Sequence, residues 1–226
     1  MANSASGTQG NVRTLIHEAG HAFHSFEAFE HIDLMFLRFP TQEFTEVAST
    51  SMEFIAADFY DEFYSPEDVI RAKRFIFEFA IRILTWVATI DGFQHWIYTN
   101  PDHSPEERTD QWIKIHQRFS SDTVDWSGLE SERKTLWHYQ MHLFGLPFYY
   151  IEYGISMIGA LQVWQNYKQE PEATIANYRK ALALGGTRPL PELFAAAGIK
   201  FDFSTDTIAP LIARVQIELE SLKDSA

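Results

Sequence analysis

The sequence of 226 residues contains no cysteine. Disulfide bonds and thiolate metal ligands are therefore excluded, and a bound metal ion would have to be held by histidine, aspartate or glutamate. A chain without cysteine also suits a reducing compartment, and we expect a cytoplasmic protein.

Long apolar runs are also lacking. The longest, FIFEFAIRILTWVATI, is interrupted by Glu78 and Arg82, whereas a membrane-spanning helix needs about 20 apolar residues in succession. The first residues, MANSASGTQGNV, show neither the basic start nor the apolar stretch of a signal peptide. We therefore expect a soluble protein with no membrane partner.

Basic residues are scarce, because 18 Lys and Arg face 31 Asp and Glu and give a formal net charge of -13. Such a surface repels the phosphates of nucleic acids, so we expect no nucleic-acid partner. Hydrophobic residues make up 46% of the chain and aromatic residues 15%. This supply is enough for a packed core, and we expect a single domain over residues 1–226.

The apolar residues recur with helical periodicity, and no segment shows the sustained alternation of a β-strand. Residues 1–10 include Gly7 and Gly10 and predict a loop or a short extended segment. Asn11 is a candidate N-cap for a first helix that runs to about residue 28. The sequence thus predicts an all-α fold with many helices and at most a short extended segment at its N-terminus.

Caps and helix breakers predict the later helices. Pro40 ends the segment that follows the first helix, and either Thr41 or Thr45 caps the second. Ser65 and Ser104 each precede a proline and acidic residues, a pattern that starts a helix. These two helices run to about residues 98 and 119. Five more are predicted at about 128–141, 148–168, 171–184, 189–197 and 206–223.

The stretch LIHEAGHAFH contains the pattern HExxH, formed by His17, Glu18 and His21. On a helix the two histidines lie one turn apart, with roughly 6 Å between their Cα atoms, so both imidazoles can reach a single ion. Glu18 is rotated by about 100° from His17 and stands where a general base toward metal-bound water is needed. The alternative is a set of polar residues on a solvated helix face.

A third ligand would complete a metal site, and the sequence offers several. Glu27 and His31 lie six and ten residues after the second histidine, without the glycine that lets one zincin class turn its chain there. Glu46 is favoured because a second helix that crosses the first can present a carboxylate from the opposite side. Glu43 and Glu53 compete locally, and Glu53 can instead accept a hydrogen bond from a ligand histidine.

His24 lies on the HExxH helix with a rotation that differs from that of His17. We interpret His24 as a residue that supports a ligand or faces the substrate, and not as a ligand itself.

Three separated stretches resemble one known family. GTQGNVRTLIHEAGHAFHSF, followed by EFTEVASTSMEFIA, is similar to the catalytic core of the thimet oligopeptidase and oligoendopeptidase F family of zinc metallopeptidases. HLFGLPFYYIEYGISMIGALQVW is similar to the substrate-binding segment of that family. The resemblance implies a zincin-type catalytic domain in which His17, His21 and Glu46 bind Zn²⁺ and Glu18 is the catalytic base.

The resemblance also implies roles for residues of the later segment. His142, Tyr150 and Tyr153 would contact the scissile carbonyl and stabilise the oxyanion, and Tyr149 is the alternative tyrosine and a substrate contact. Tyr150 and Tyr153 are three residues apart, so on a helix they share a face and can both donate to one oxyanion. The competing interpretation is that FYYIEY belongs to an aromatic core.

Near the N-terminus, the resemblance implies that Gly7 and Thr8 offer backbone hydrogen bonds to an extended substrate. The expected function is therefore a zinc-dependent metalloendopeptidase that hydrolyses oligopeptides. The alternative is a non-catalytic zinc-binding helical module, or an incomplete catalytic half with an interaction role. Family members are longer, and we expect this chain to lack their N-terminal part. Exposed apolar surface would follow, and with it either a homodimer or poor substrate binding.

Overall fold

A computed structural model of the chain describes residues 5–222. Over this range every regular element is helical and no strand is present, so the predicted all-α fold is confirmed. Ten α-helices are found here: α1 (Gln9–His31), α2 (Gln42–Ala56), α3 (Pro66–Thr99), α4 (Pro105–Phe119), α5 (Glu130–Thr135), α6 (His142–Gly145), α7 (Ile151–Gln169), α8 (Pro171–Leu182), α9 (Leu190–Ala196) and α10 (Thr205–Ser221). Short 3₁₀ helices occupy Met35–Leu37, Ala57–Glu62 and Leu136–Tyr139.

The chain forms two compact units. The first combines the chain up to Ala80 with the chain from Ile155 onward, and the second is Ile81–Gly154. The helices α3 and α7 each contribute residues to both units. The expected single domain over residues 1–226 stays a prediction.

The core of the first unit forms where α2 packs against α7, α8 and α9. Its largest fully buried side chains include Phe44 and Phe194, whose ring centroids lie 5.9 Å apart. Tyr178 is buried among them, and its hydroxyl donates to the carbonyl of Ala48 at 2.8 Å. Because this phenol is satisfied by a backbone oxygen, burying it costs little.

The core of the second unit is aromatic. Trp112 is fully buried, with ring centroids of Phe93 and Trp86 at 5.1 and 6.0 Å. The indole N–H of Trp112 donates to the carbonyl of Arg133 at 2.8 Å. Trp137 packs against Phe93 from the segment that follows α5.

The start of the first helix differs from the prediction. Thr8, and not Asn11, is the N-cap of α1, and Gly10 lies inside the helix. Asn11 takes the third helical position, and its side-chain oxygen accepts the backbone N–H of Thr8 at 3.2 Å. Both residue types cap helices, so the sequence alone did not separate them. The predicted extended segment is thus shorter, and its first four residues lie outside the described range.

Two predicted helices begin or end elsewhere. The stretch 128–141 holds a short helix, α5, followed by a 3₁₀ turn, and the helix expected from residue 148 begins at Ile151. Phe148 adopts a left-handed backbone with φ of +60°, which a right-handed helix cannot include, so α7 begins only at Ile151. Thr41 occupies the N-cap position of α2 without a side-chain cap hydrogen bond. The predicted cap at Ser104 is present as a reciprocal capping box with Glu107.

Between residues 5 and 222, no helix has the length and apolar character needed to cross a bilayer.

Candidate metal centre

The donor atoms of three side chains converge in the first unit. His17 and His21 stand one turn apart on α1, with their Nε2 atoms 3.2 Å apart. Glu46 comes from α2, and its two carboxylate oxygens lie 3.4 Å from Nε2 of His17 and 3.9 Å from Nε2 of His21. The predicted ligand set is therefore assembled on one face of two crossing helices.

The donor atoms of His17, His21 and Glu46, called the donor triangle below, lie close enough to share one metal ion. A tetrahedral ion with bonds of about 2.0–2.1 Å separates its ligand atoms by roughly 3.3 Å. The two Nε2 atoms lie 3.2 Å apart, and Oε2 of Glu46 lies 3.4 Å from Nε2 of His17, both close to that value. Nε2 of His21 lies 3.9 Å from the other carboxylate oxygen, Oε1. Two imidazoles and one carboxylate match the ligand types that zinc prefers, and three protein ligands leave a fourth position for water or substrate.

A glycine lets the two helices approach closely enough. A Cβ atom placed on Gly20 would lie 2.6 Å from Cα of Ser49 and 3.1 Å from the carbonyl oxygen of Ala48. The backbone of α2 therefore occupies the space that any other residue at position 20 would need. Gly20 lies directly before His21, so this contact fixes the crossing at the donor triangle.

Glu53 holds one ligand in place. It is buried, at 4% exposure, and its Oε1 lies 2.7 Å from Nδ1 of His17. A carboxylate at this nitrogen sets the tautomer that directs Nε2 toward the donor triangle. The sequence had offered Glu53 as a competing ligand or as such a support, and the geometry places it at the supporting nitrogen.

Arg13 pairs with Glu53 on the side away from His17, a contact that the sequence had not indicated. Its Nε donates to the second carboxylate oxygen of Glu53. Its guanidinium also lies over the rings of Phe79 and Phe75, at 4.3 and 5.6 Å from their centroids. Arg13 is one helical turn before His17, and an i, i+4 pair on α1 was the available signal.

The third ligand is held by its own helix. The side-chain amide of Gln42 donates to Oε1 of Glu46 at 2.7 Å, and Ser49 donates its hydroxyl to Oε2 at 3.1 Å. These residues stand four before and three after Glu46, so all three share one face of α2. Neither Gln42 nor Ser49 was recognised from the sequence.

The carboxylates set the electrostatics of the site. Burial lowers the pKa of His17, but hydrogen bonds and charge from Glu46 and Glu53 outweigh burial and raise it to about 9. Burial raises the pKa of Glu46, yet His17, His21 and the hydrogen bond from Ser49 bring it below its usual value. Glu46 therefore stays ionised. The negative potential near Glu46 and Glu53 favours a positive charge at His17, either a bound proton or a metal ion.

The two other histidines on this part of α1 have lowered pKa values. Burial, together with the like charge of His17, lowers the pKa of His21 although Glu46 opposes the change. Burial and the neighbouring His21 lower the pKa of His24 to about 4. His24 is 4% exposed, and its Nε2 is buried with no hydrogen-bond partner. These lowered pKa values mean that His21 and His24 are neutral near pH 7. For His21, the neutral imidazole is the form that binds a metal.

The remaining candidates have other contacts. The carboxylate of Glu27 pairs with Arg179 at 2.6 Å, and Nδ1 of His31 lies 2.8 Å from the carbonyl of Glu27. Within residues 5–222, neither these two nor Glu43 belongs to the group of converging donors. Glu18 is exposed on α1 next to His17, and in the described residues it is not one of the converging donors. A general base must likewise keep its carboxylate free of the metal.

The residues predicted to bind the oxyanion cluster in the second unit. The ring of His142 stacks on Tyr149 at 5.7 Å and lies 5.0 Å from Tyr150 and 5.8 Å from Tyr153. Nδ1 of His142 lies 2.5 Å from the side-chain amide of Gln140, a contact that the sequence analysis missed. The structure thus brings all four predicted residues together.

The tyrosines of this cluster differ in burial. Tyr150 is 8% exposed and belongs to the aromatic core, and burial together with Tyr153 raises its pKa to about 12. It precedes α7 and does not lie on the helix face that was predicted for it. Tyr149 and Tyr153 are half-buried. The core interpretation therefore applies to Tyr150 more than to the other two.

The glycine before α1 adopts a left-handed backbone, with φ of +77° at Gly7. Thr8 uses its N–H toward Asn11 and its carbonyl toward the N–H groups of Asn11 and Val12. Backbone pairing of this segment with a substrate stays a prediction, and at Thr8 it would require an exchange of partners.

Two histidines of an HExxH helix and a glutamate of a second helix form a group that could hold a metal ion, as in metal-dependent hydrolases. The chain belongs to peptidase family M3, whose family model matches residues 5–211.

Solved structures agree with this membership. An oligoendopeptidase F structure is 32% identical in sequence to this chain, with a TM-score of 0.83. A structure of Pz peptidase A with an inhibitor is 29% identical, with a TM-score of 0.84. Each match covers 98% of this chain and 39% of the other. An oligoendopeptidase F from Bacillus anthracis shares 28% identity and a TM-score of 0.76, over 98% of this chain and 36% of the other. The chain thus spans about two fifths of these structures. Among curated proteins, no sequence matches it.

Proposed function

We propose that this chain carries the catalytic site of a zinc-dependent metalloendopeptidase that hydrolyses oligopeptides. The observation that carries the proposal is the donor triangle of His17, His21 and Glu46, whose ligand atoms lie within 4.8 Å of one another and are of the types that zinc prefers. Membership of a peptidase family and the likeness to oligoendopeptidase F structures support peptides as the substrate class.

The side chains of the site divide the work. His17, His21 and Glu46 would hold the ion, and Glu53 and Arg13 would keep His17 in its binding tautomer. Bound zinc would polarise the scissile carbonyl and lower the pKa of water toward about 7.

Proton transfer falls to Glu18. It would accept the proton of the attacking water and deliver it to the amine that leaves. Its exposure on α1 leaves its carboxylate open to water. In the second unit, His142 and Tyr153, with Tyr149 or Tyr150, are proposed to donate hydrogen bonds to the oxyanion.

The first prediction separates catalysis from metal binding. We expect one zinc per chain, and we expect Glu18→Gln to keep that zinc while hydrolysis of a quenched oligopeptide falls by roughly 10²-fold or more, because only the general base is removed. Metal content by elemental analysis and initial rates on the same protein samples measure both effects.

His21→Ala is the matched control, because it removes a ligand and should lose both zinc and activity. A Glu18→Gln variant as active as the parent would contradict the proposed mechanism. A parent chain that binds zinc and hydrolyses nothing would instead fit a non-catalytic zinc-binding module.

A further inference from the structure

In the second unit, Gln140 is buried between a tryptophan of α3 and the histidine that begins α6. It is 7% exposed and directly follows the 3₁₀ helix Leu136–Tyr139. Its backbone N–H donates to the carbonyl of Trp137 at 3.0 Å, and its carbonyl accepts the N–H of Leu143 at 3.1 Å. Because the backbone is held on both sides, the side chain of Gln140 starts from a fixed position.

The orientation of the Gln140 amide follows from its contact with Trp86. Oε1 of Gln140 lies 3.0 Å from Nε1 of Trp86. An indole nitrogen can only donate a hydrogen bond, so the atom of the amide that faces it must be the oxygen. The indole is itself packed in the aromatic core, with its ring centroid 6.0 Å from that of Trp112. The core therefore determines which way the amide points.

The nitrogen of the same amide faces His142. Nε2 of Gln140 lies 2.5 Å from Nδ1 of His142. An amide NH₂ group is a donor only, so Nδ1 must accept the hydrogen bond and carries no proton. A neutral imidazole has one ring proton, and this proton must then lie on Nε2. The two hydrogen bonds from Trp86 through Gln140 thus select one of the two tautomers of His142.

The tautomer decides what His142 can do toward an oxyanion. With the proton on Nε2, this nitrogen can donate a hydrogen bond; with the proton on Nδ1, Nε2 would present a lone pair and repel a negative oxygen. The rings of Tyr149, Tyr150 and Tyr153 also contact His142. These ring contacts orient the imidazole but do not distinguish its two nitrogens, so the choice of tautomer rests on Gln140.

The proposed metal ligand His17 shows the opposite arrangement at the same ring nitrogen. Its Nδ1 lies 2.7 Å from a carboxylate oxygen of Glu53, which can only accept. A carboxylate therefore holds a proton on Nδ1 and leaves the lone pair of Nε2 for a metal. An amide nitrogen at Nδ1 of His142 leaves a proton on Nε2 instead. The two histidines are thus prepared for two different tasks by the group that faces Nδ1.

We propose that Gln140 is a positioning residue that holds the neutral ring of His142 with its proton on Nε2, ready to donate to the oxyanion, and that Trp86 holds Gln140 in the orientation required. The inference rests on the proposed zinc peptidase function, in which His142 is an oxyanion donor. It extends the site to two residues that act only through His142.

Nitrogen NMR of the full chain with isotope-labelled histidine rings reads the tautomer directly, because protonated and unprotonated ring nitrogens resonate at clearly different positions. The chain has nine histidines, and the signals that disappear in His142→Asn assign this one. At a pH where His142 is neutral, we expect an unprotonated Nδ1 and a protonated Nε2. This measurement needs neither zinc nor substrate.

Gln140→Glu reverses the hydrogen bond to His142 with little change of shape. The carboxylate still offers an oxygen to Trp86 but also places an acceptor at Nδ1, so the ring proton should move to Nδ1. At a pH where the ring is neutral, we expect kcat to fall by roughly 10²-fold with little change in KM, as for the loss of one oxyanion donor. Gln162→Glu makes the same change at a buried glutamine of α7, and should alter neither the signals of His142 nor kcat.

Trp86→Phe provides a second test that keeps Gln140 in place, and it serves if the carboxylate variant does not fold. Without the indole N–H, the amide can rotate and present its oxygen to His142. A share of the neutral rings should then carry the proton on Nδ1, and kcat should fall in proportion to that share.

The outcomes separate this inference from the proposed function. The positioning role is overturned if His142 of the parent carries its proton on Nδ1, or if Gln140→Glu and Trp86→Phe leave the tautomer unchanged. It is also overturned if the parent hydrolyses peptides and Gln140→Glu moves the proton without lowering kcat. If the parent binds no zinc or hydrolyses nothing, the proposed function fails and the positioning role falls with it, whatever tautomer the spectra show.

Discussion

At the scale of single residues, Glu53 connects the proposed metal ligand His17 to Arg13. It accepts from Arg13 on one oxygen and lies 2.7 Å from Nδ1 of His17 with the other. We expect Glu53→Gln to lower zinc affinity by about 10–100-fold, because an amide supports the imidazole less strongly than a carboxylate does. Competition with a chelating dye measures the change.

Glu43→Gln is the matched control on the same helix, since in residues 5–222 Glu43 is outside the donor group. Equal losses in the two variants would show that overall negative charge, and not the hydrogen bond at Nδ1, governs the affinity.

Substitution of Tyr153 tests whether the cluster of His142 and the three tyrosines takes part in the reaction. Its ring packs against Tyr150 at 5.2 Å and against His142 at 5.8 Å, contacts that Tyr153→Phe retains. We expect the free energy of unfolding to change by less than about 1 kcal/mol. We expect kcat to fall by roughly 10²-fold or more with little change in KM, because the hydroxyl would act only in the transition state.

Chemical denaturation and steady-state kinetics on the same variant provide the two readouts. Tyr149→Phe should have the smaller kinetic effect. If Tyr153→Phe keeps its activity and loses stability instead, Tyr153 belongs to the core and Tyr149 is the remaining candidate.

At the scale of helices, the crossing of α1 and α2 at Gly20 brings the ligands together. Gly20→Ala would place a methyl group within 2.6 Å of Cα of Ser49. We expect it to destabilise the fold by about 1–3 kcal/mol, as overpacking does, and to weaken zinc binding because Glu46 moves away from the histidines. Urea denaturation and metal titration record the two effects.

Gly10→Ala is the control within the same helix, because the nearest atom to its added Cβ lies 3.8 Å away. We expect it to leave stability unchanged or to raise it by up to about 1 kcal/mol. If Gly20→Ala and Gly10→Ala have the same effect on stability and zinc binding, a close contact of α1 and α2 at Gly20 is not what brings the proposed ligands together.

The helices also show what the sequence could and could not reveal. The HExxH spacing predicted two ligands because both belong to one helix, and Glu46 was favoured because the next helix was expected to cross the first. The roles of Arg13 and Ser49 depend on how closely α1 and α2 approach, a distance that local periodicity does not encode. The interruption of the helices near Pro147 had a local signal in the sequence. The packing of Trp137 in the aromatic core had none, because it depends on tertiary contacts.

At the scale of the whole molecule, exposed apolar side chains favour self-association and the net negative charge opposes it. Leu34, Met35 and Phe36 are 67%, 69% and 97% exposed in the first unit, while the chain carries a net charge of -13. We expect self-association that strengthens as salt screens the repulsion. Sedimentation velocity at low and high ionic strength should show the shift, and Phe36→Ser should reduce it.

Phe59→Ser alters another exposed ring, 52% accessible and outside residues 34–36, and should leave the association as it is. A parent chain that stays monomeric at high salt would contradict the expectation of a homodimer.

Residues 37–39 are seated on the backbone of Gly185 and Gly186, and this has a consequence for redesign. The N–H of Gly186 donates to the carbonyl of Leu37 at 2.7 Å, and Arg38 also fixes the segment by donating Nε to the carbonyl of Ile32 at 2.7 Å. Replacing Phe39, whose side chain makes neither of these hydrogen bonds, should therefore leave the path of the chain unchanged. Replacing Gly185 or Gly186 should instead displace the segment, because an added Cβ atom would lie 2.6 Å from the carbonyl oxygen of Leu37 or 2.5 Å from that of Phe39.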